Sequence, residues 1–174
     1  LQANADIEIY DNSLKGVKAL NNEEYESAID SFEKSLKEAE SPTNYIYLAK
    51  SYGEAEKSDK AIEIYEKGIE KYPENWELRY NFGDLYRKIE KNDKAKIQFE
   101  KASELANESD FMAHYQIYQG FKNIGAEEKA KEEMNKIIEI QQSMNQNMKS
   151  NSSETERENN LDEEDLDVDT VPVE

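Results

Sequence analysis

Apolar positions along this chain recur at helical intervals and fall into paired blocks separated by short polar breaks. From Asp6 the series Ile7, Tyr10, Leu14, Val17 keeps one helix face and stops near Leu20, with Asn21 and Asn22 as turn residues. Tyr25, Ala28, Ile29, Phe32 and Leu36 predict a second helix over 24–40. Ser41-Pro42 starts a third, because the hydroxyl caps it and a proline amide needs no partner there; that helix carries Tyr45, Leu48, Ala49 and Tyr52, and Gly53 loosens its last turn. A fourth, expected to be capped by Ser58, carries Ala61, Ile62, Tyr65 and Ile69 and ends at Pro73. Trp76 to Asn107 holds two more, broken at 90–93, with Asn92 as the expected cap of the second. Ser109 is expected to cap a helix over 110–123 that Gly125 closes in the left-handed conformation. Ala130, Met134, Ile137, Ile138, Ile140, Met144 and Met148 then thread a last helix expected to end near Asn147, while Leu1 to Ala5 carries no pattern and is expected to fray.

The blocks are copies of one unit. Ala28/Phe32, Ala61/Tyr65, Ala95/Phe99 and Ala130/Met134 repeat a small residue followed by a bulky one, at successive spacings of 33, 34 and 35 residues. Twelve residues before each Ala stand Gly16, Ala49, Gly83 and Tyr118, and three residues later Ala19, Tyr52, Tyr86 and Phe121. Small residues at the first of these positions let a neighbouring helix approach closely, and Tyr118 departs from that rule. A drift of one residue per copy is absorbed in a turn, whereas a slip within a helix would rotate its apolar face by about 100°.

On these residues the chain resembles the tetratricopeptide repeat family, whose pattern W-x2-L-G-x2-Y, A-x3-F and a late Pro spans two antiparallel helices. The resemblance covers roughly Ile9 to Ile140 in four copies, at about 9–41, 42–75, 76–110 and 111–148. The third copy fits with Arg79, Phe82, Gly83, Tyr86, Ala95 and Phe99, and the second adds Pro73. Copy one has Lys15 before its Gly, and copy four has Tyr118 for Gly, Met134 for the aromatic and no Pro. The implied fold is all-α: a right-handed superhelical solenoid of four helix-turn-helix repeats over 1–149, with a long C-terminal helix and a disordered acidic tail over 150–174.

Composition sharpens the outline. The net charge is -18, with 36% of residues charged, which argues against a nucleic-acid or anionic-membrane surface because phosphate contacts need clustered Lys and Arg. No run of about 18 apolar residues is present to insert into a membrane. Ten acidic residues against one Arg lie between Ser150 and Glu174, too polar a stretch to offset its ordering entropy. It reads first as a solvating tail that resists aggregation, and second, from Leu161, Leu166, Val168, Val171 and Val173 spaced through it, as a segment that docks elsewhere. A chain opening on Leu1 is expected to have a segment missing upstream, which leaves room for a targeting signal.

Little in the chain suggests bond-making chemistry. There is no Cys, which removes thiolate nucleophiles and Cys-ligated zinc, and the single histidine, His114, falls where the family packs a large side chain. No phosphate-cradling glycine loop or nucleophile elbow occurs, so neither enzyme activity nor a cofactor or metal is expected. The resemblance instead implies an adaptor whose first helices line a concave groove. Its inward positions include Ile46, Tyr80 and Tyr115, equivalent residues of adjacent copies that would form an apolar stripe, and beside them Lys50, Asp84, Arg87, Lys88, Gln119 and Lys122. Apolar anchors with basic neighbours suit an extended partner segment carrying apolar and acidic residues. Alternatively Tyr80 and Tyr115 simply pack between helices and the lysines are solvated. The clamp with which some members grip chaperone tails is not expected, because Ser13, Val17 and Tyr47 occupy its sites. Two further readings stand beside the adaptor: a homodimer paired through Met134 to Met148, and a tail over 161–173 that occupies its own groove.

Overall fold

The computed structural model describes residues 2–164, with side chains for 11–148. Its helices are α1 (Gln2–Asn21), α2 (Tyr25–Glu38), α3 (Pro42–Glu54), α4 (Ser58–Lys71), α5 (Trp76–Lys88), α6 (Asn92–Leu105), α7 (Phe111–Asn123) and α8 (Glu127–Glu164), and no strand occurs among the described residues. They pair as α1α2, α3α4, α5α6 and α7α8. Each pair stacks on the next, first helix against first helix (α3 on α5, α5 on α7) and second helix against the following first helix (α4 on α5, α6 on α7). The result is a helical repeat solenoid in which every core is shared between neighbours.

The periodic Ala residues sit where helices cross. Ala28, Ala61 and Ala95 are fully buried and Ala130 nearly so, with Phe32, Tyr65 and Phe99 enclosed beside them. At Gly83 the approach is so close that an added Cβ would lie 2.6 Å from the Phe99 ring, and at Gly16 it would lie 2.7 Å from Phe32.

Two kinds of turn alternate. Between repeats, a side chain caps the next first helix: Ser41 accepts from the Asn44 amide at 3.2 Å, Asn75 from Leu78 at 2.8 Å and Asp110 from Ala113 at 3.0 Å. Within repeats, one residue turns left-handed (Glu23, Glu56, Glu90 and Gly125, with φ of 61°, 59°, 60° and 73°). The next amide reaches five residues back, Glu24 to Ala19, Lys57 to Tyr52, Lys91 to Tyr86 and Ala126 to Phe121, at 2.8–2.9 Å. This is the Schellman closure, and it corrects two expectations. Ser58 and Asn92 do not cap α4 and α6; they are the first helical residues, and Lys57 and Lys91 precede them with no side-chain cap. Those lysines already close the preceding helix through their amides, so no separate capping residue fits between. Ser109 is likewise displaced as a cap by Asp110, and its hydroxyl donates to Asn107 instead.

Both chain ends are more helical than expected. α1 begins at Gln2, not Asp6, and α8 continues past Asn147 to Glu164, through the first part of the stretch expected to be a disordered tail. Residues 148–164 hold neither Pro nor Gly, so nothing in the chain breaks the hydrogen-bond ladder there. At about 1.5 Å per residue α8 is about 57 Å long, against about 21 Å for the other second helices. Leu1 and residues 165–174, which hold most of the 161–173 stretch read as one that could dock, lie outside the described residues.

Candidate functional site

The first helices α3, α5 and α7 share the face expected to be the inner one. Lys50, Gly53 and Glu54 on α3 meet Asn81, Asp84 and Lys88 on α5 around a dent of about 20 Å³, roughly the room one water needs. Charges on this face are largely neutralised in place. Lys88 pairs with Glu54 across the two helices, Arg87 donates to one oxygen of Asp84 through Nε at 2.9 Å and Nη2 at 2.7 Å, and Lys122 reaches Glu127 at 3.3 Å. Lys50 has no ion pair among the described residues. The pairs are part-exposed, so each contributes little to stability and an incoming carboxylate can compete for its cation.

The expected stripe of Ile46, Tyr80 and Tyr115 is only partly open. Ile46 is buried at 7% exposure and belongs to the core, which corrects its assignment as a groove residue. Tyr80 is half-buried, its ring 5.5 Å from Phe99 and 6.4 Å from Trp76. Burial, with the Asp84 carboxylate adding to it, pushes the Tyr80 hydroxyl above its ordinary value, so it stays a protonated donor. Tyr115 stands 41% exposed, stacked on Phe111 at 6.2 Å and near Tyr118 at 6.3 Å. The gradient has a structural cause. This position lies at the seam between consecutive first helices, and no pair follows α7 and α8 among the described residues to cover Tyr115. Met112, one turn earlier, is 59% exposed and extends the same open patch, while Gln119 is half-buried beside it.

A second polar cluster lies on the other side of the stack. His114, 1% exposed, is bonded through Nδ1 to Glu133 Oε2 at 2.7 Å; the other Glu133 oxygen accepts from Ser103 and, at 2.9 Å, from Lys136, which also donates to Ser103 at 2.7 Å. Burial pushes the Glu133 carboxyl up, but the hydrogen bonds from Ser103, Lys136 and His114 outweigh it and hold the group below its ordinary value. Packing of His114 was foreseen from its position in the repeat; its partner was not. The structure repeats the arrangement one copy earlier, where Arg79 donates to Gln98 across the same 19 residues.

Among the described residues no group of three or more His, Cys, Asp or Glu could hold a metal ion, and no helix is long and apolar enough to cross a membrane.

The family model described as Tetratricopeptide repeat matches residues 64–97, from within α4 to within α6. Among solved structures the chain is similar to MamA, at 18% identity and a TM-score of 0.59 over 79% of this chain and 81% of that one. A fragment of MamA from Desulfovibrio magneticus RS-1, running from residue 41 to the end, is 18% identical with a TM-score of 0.58, over 78% and 76% of the two chains. YrrB, a TPR protein with an unusual peptide-binding site, is 26% identical with a TM-score of 0.51, over 72% and 65%. No curated protein matches the chain. With four stacked helix pairs, small residues at their crossings and a match to the tetratricopeptide repeat model at residues 64–97, the chain has the fold of a tetratricopeptide repeat array.

Proposed function

We propose that this protein is a non-enzymatic adaptor that holds an extended segment of another protein along the inner face of its first helices. Repeat proteins of this fold generally serve as scaffolds for protein–protein interaction. The observation that carries the finer reading is the open apolar patch of Tyr115 and Met112 on the same face as the unpaired Lys50. Exposed aromatic and methionine side chains anchor partners at low entropic cost, and a free cation in a protein of charge -18 favours an acidic one. With neighbouring helices about 8–10 Å apart, Lys50 on α3 and Tyr115 on α7 are bridged by about six residues of extended chain. Tyr80, Asp84, Arg87, Lys88, Gln119 and Lys122 line the path, and Asp84 and Glu54 hold its cations until a partner carboxylate displaces them. YrrB, by its description a peptide binder, lends the reading a precedent.

Tyr115→Ala is expected to weaken partner binding by about 1–2 kcal/mol in a calorimetric titration, with helicity unchanged because the side chain is exposed. Equal affinity would remove Tyr115 from the site. A second reading, self-association, is motivated by Ile138, Met144 and Met148, which stand 42%, 44% and 67% exposed on α8. Light scattering across concentration separates the two, since a monomer throughout excludes a dimer built on α8.

A further inference from the structure

A large cavity lies away from the inner face. It measures about 740 Å³ and opens on the side of the second helices, between the end of α6, the α6–α7 turn and α8. Ser103, Ala106 and Glu108 form one wall, Lys136, Glu139, Ile140 and Met144 the other, and His114 part of the floor. Its volume is within the range of sites that accept several side chains of a ligand.

The polar groups of this cavity are unbalanced in one direction. Lys136 is already engaged by Ser103 and Glu133, and the Glu104 carboxylate by Lys101. Glu108 and Glu139 make no ion pair among the described residues. His114 Nε2 is buried and has no hydrogen-bond partner. Its ring forms part of the lining, while Nδ1 is held by Glu133, which does not line the cavity. The two carboxylates free of ion pairs, Glu108 and Glu139, are acceptors set beside the apolar surface of Ala106, Ile140 and Met144, with the Ser143 hydroxyl in the same lining.

We propose that this cavity is a second docking site, which takes a segment of a partner protein carrying a basic side chain flanked by apolar ones. A Lys or Arg stem would lie on Ile140 and Met144 while its head donates to Glu108 and Glu139. The chain's own acidic end is the wrong occupant, since Asp162 to Asp169 carries charge of the same sign as the rim. The site is independent of the inner face. It would let one adaptor hold an acidic segment on one side and a basic one on the other.

The test uses the full chain and two blocked pentapeptides, ALRLA and ALELA. His114 is the one histidine, so its ring signals in a proton–carbon NMR spectrum are unambiguous. ALRLA is expected to shift the His114 ring signals saturably, to bind about tenfold more weakly to the Glu108→Gln, Glu139→Gln variant, and to bind the Tyr115→Ala variant unchanged. ALELA is expected to leave His114 unmoved. Both carboxylates are exposed, so the variant should keep its fold, which circular dichroism checks. No His114 shift with ALRLA, an equal shift with ALELA, or unaltered affinity in the double variant overturns the proposal, and none of these results bears on the inner face.

Discussion

Replacing Gly83 by Ala probes the closest helix crossing in the array. The new methyl would stand 2.6 and 2.7 Å from two Phe99 ring carbons and 3.2 Å from the Ala95 carbonyl oxygen. Comfortable carbon contacts begin near 3.5 Å, so the ring must retreat by about 1 Å. It has nowhere to go: Phe99 is fully buried, with Tyr80 at 5.5 Å, Phe121 at 5.8 Å and Gly120 against its edge. Overpacking of a clamped ring costs about 2–3 kcal/mol. Ala gains about 1 kcal/mol over Gly in helix propensity. The net expectation is a loss of about 1–2 kcal/mol, read in urea unfolding as a lower midpoint at unchanged slope. A Phe99→Leu background removes the ring edge, and there Gly83→Ala should cost about 1 kcal/mol less. A Gly83→Ala chain as stable as the parent, or equal costs in both backgrounds, would refute the close crossing of α5 and α6. Ala49 shows that the limit is local, since the same repeat position in α3 holds a methyl group, fully buried.

The left-handed turns give the opposite sign. Glu56→Gly, at φ 59°, should stabilise by about 0.5–1 kcal/mol in the same assay, because a side chain there is strained and glycine is not; Gly125→Ala, at φ 73°, should destabilise by about 1 kcal/mol. Acid should weaken the chain through Glu133. Its folded value is depressed below the ordinary 4.5, so its ionic contribution is complete above that pH and is lost as pH falls through the folded value. The stability gap between the parent and Glu133→Gln should therefore narrow from about pH 6 to about pH 3, as measured by urea unfolding at each pH.

The repeat architecture was legible because it depends on volume. Ala28, Ala61, Ala95 and Ala130 must be small for the helices to cross, and the period of such residues survives in the sequence. Capping was legible only where a side chain does it, as at Ser41; the Schellman turns at Glu23, Glu56 and Glu90 use backbone groups, which residue identity barely records. The groove residues were half legible. Helical phase put Lys50, Asp84 and Lys88 on one face, where they do converge. Phase alone missed that the next first helix covers Ile46 and leaves Tyr115 open, because burial at a seam depends on what stacks beyond it. The pairing of His114 with Glu133 joins two helices and needed the equivalence of repeats to be seen.

The central claim is that the face formed by α3, α5 and α7 holds a partner chain. A photoreactive residue in place of Gln119, on that face, and another in place of exposed Lys101, on the second-helix side, test it directly in the native cell. One partner should crosslink from position 119, map to a single acidic and apolar segment, and be captured less with Tyr115→Ala. Capture of that same segment from position 101 alone, or from both positions alike, would contradict the account.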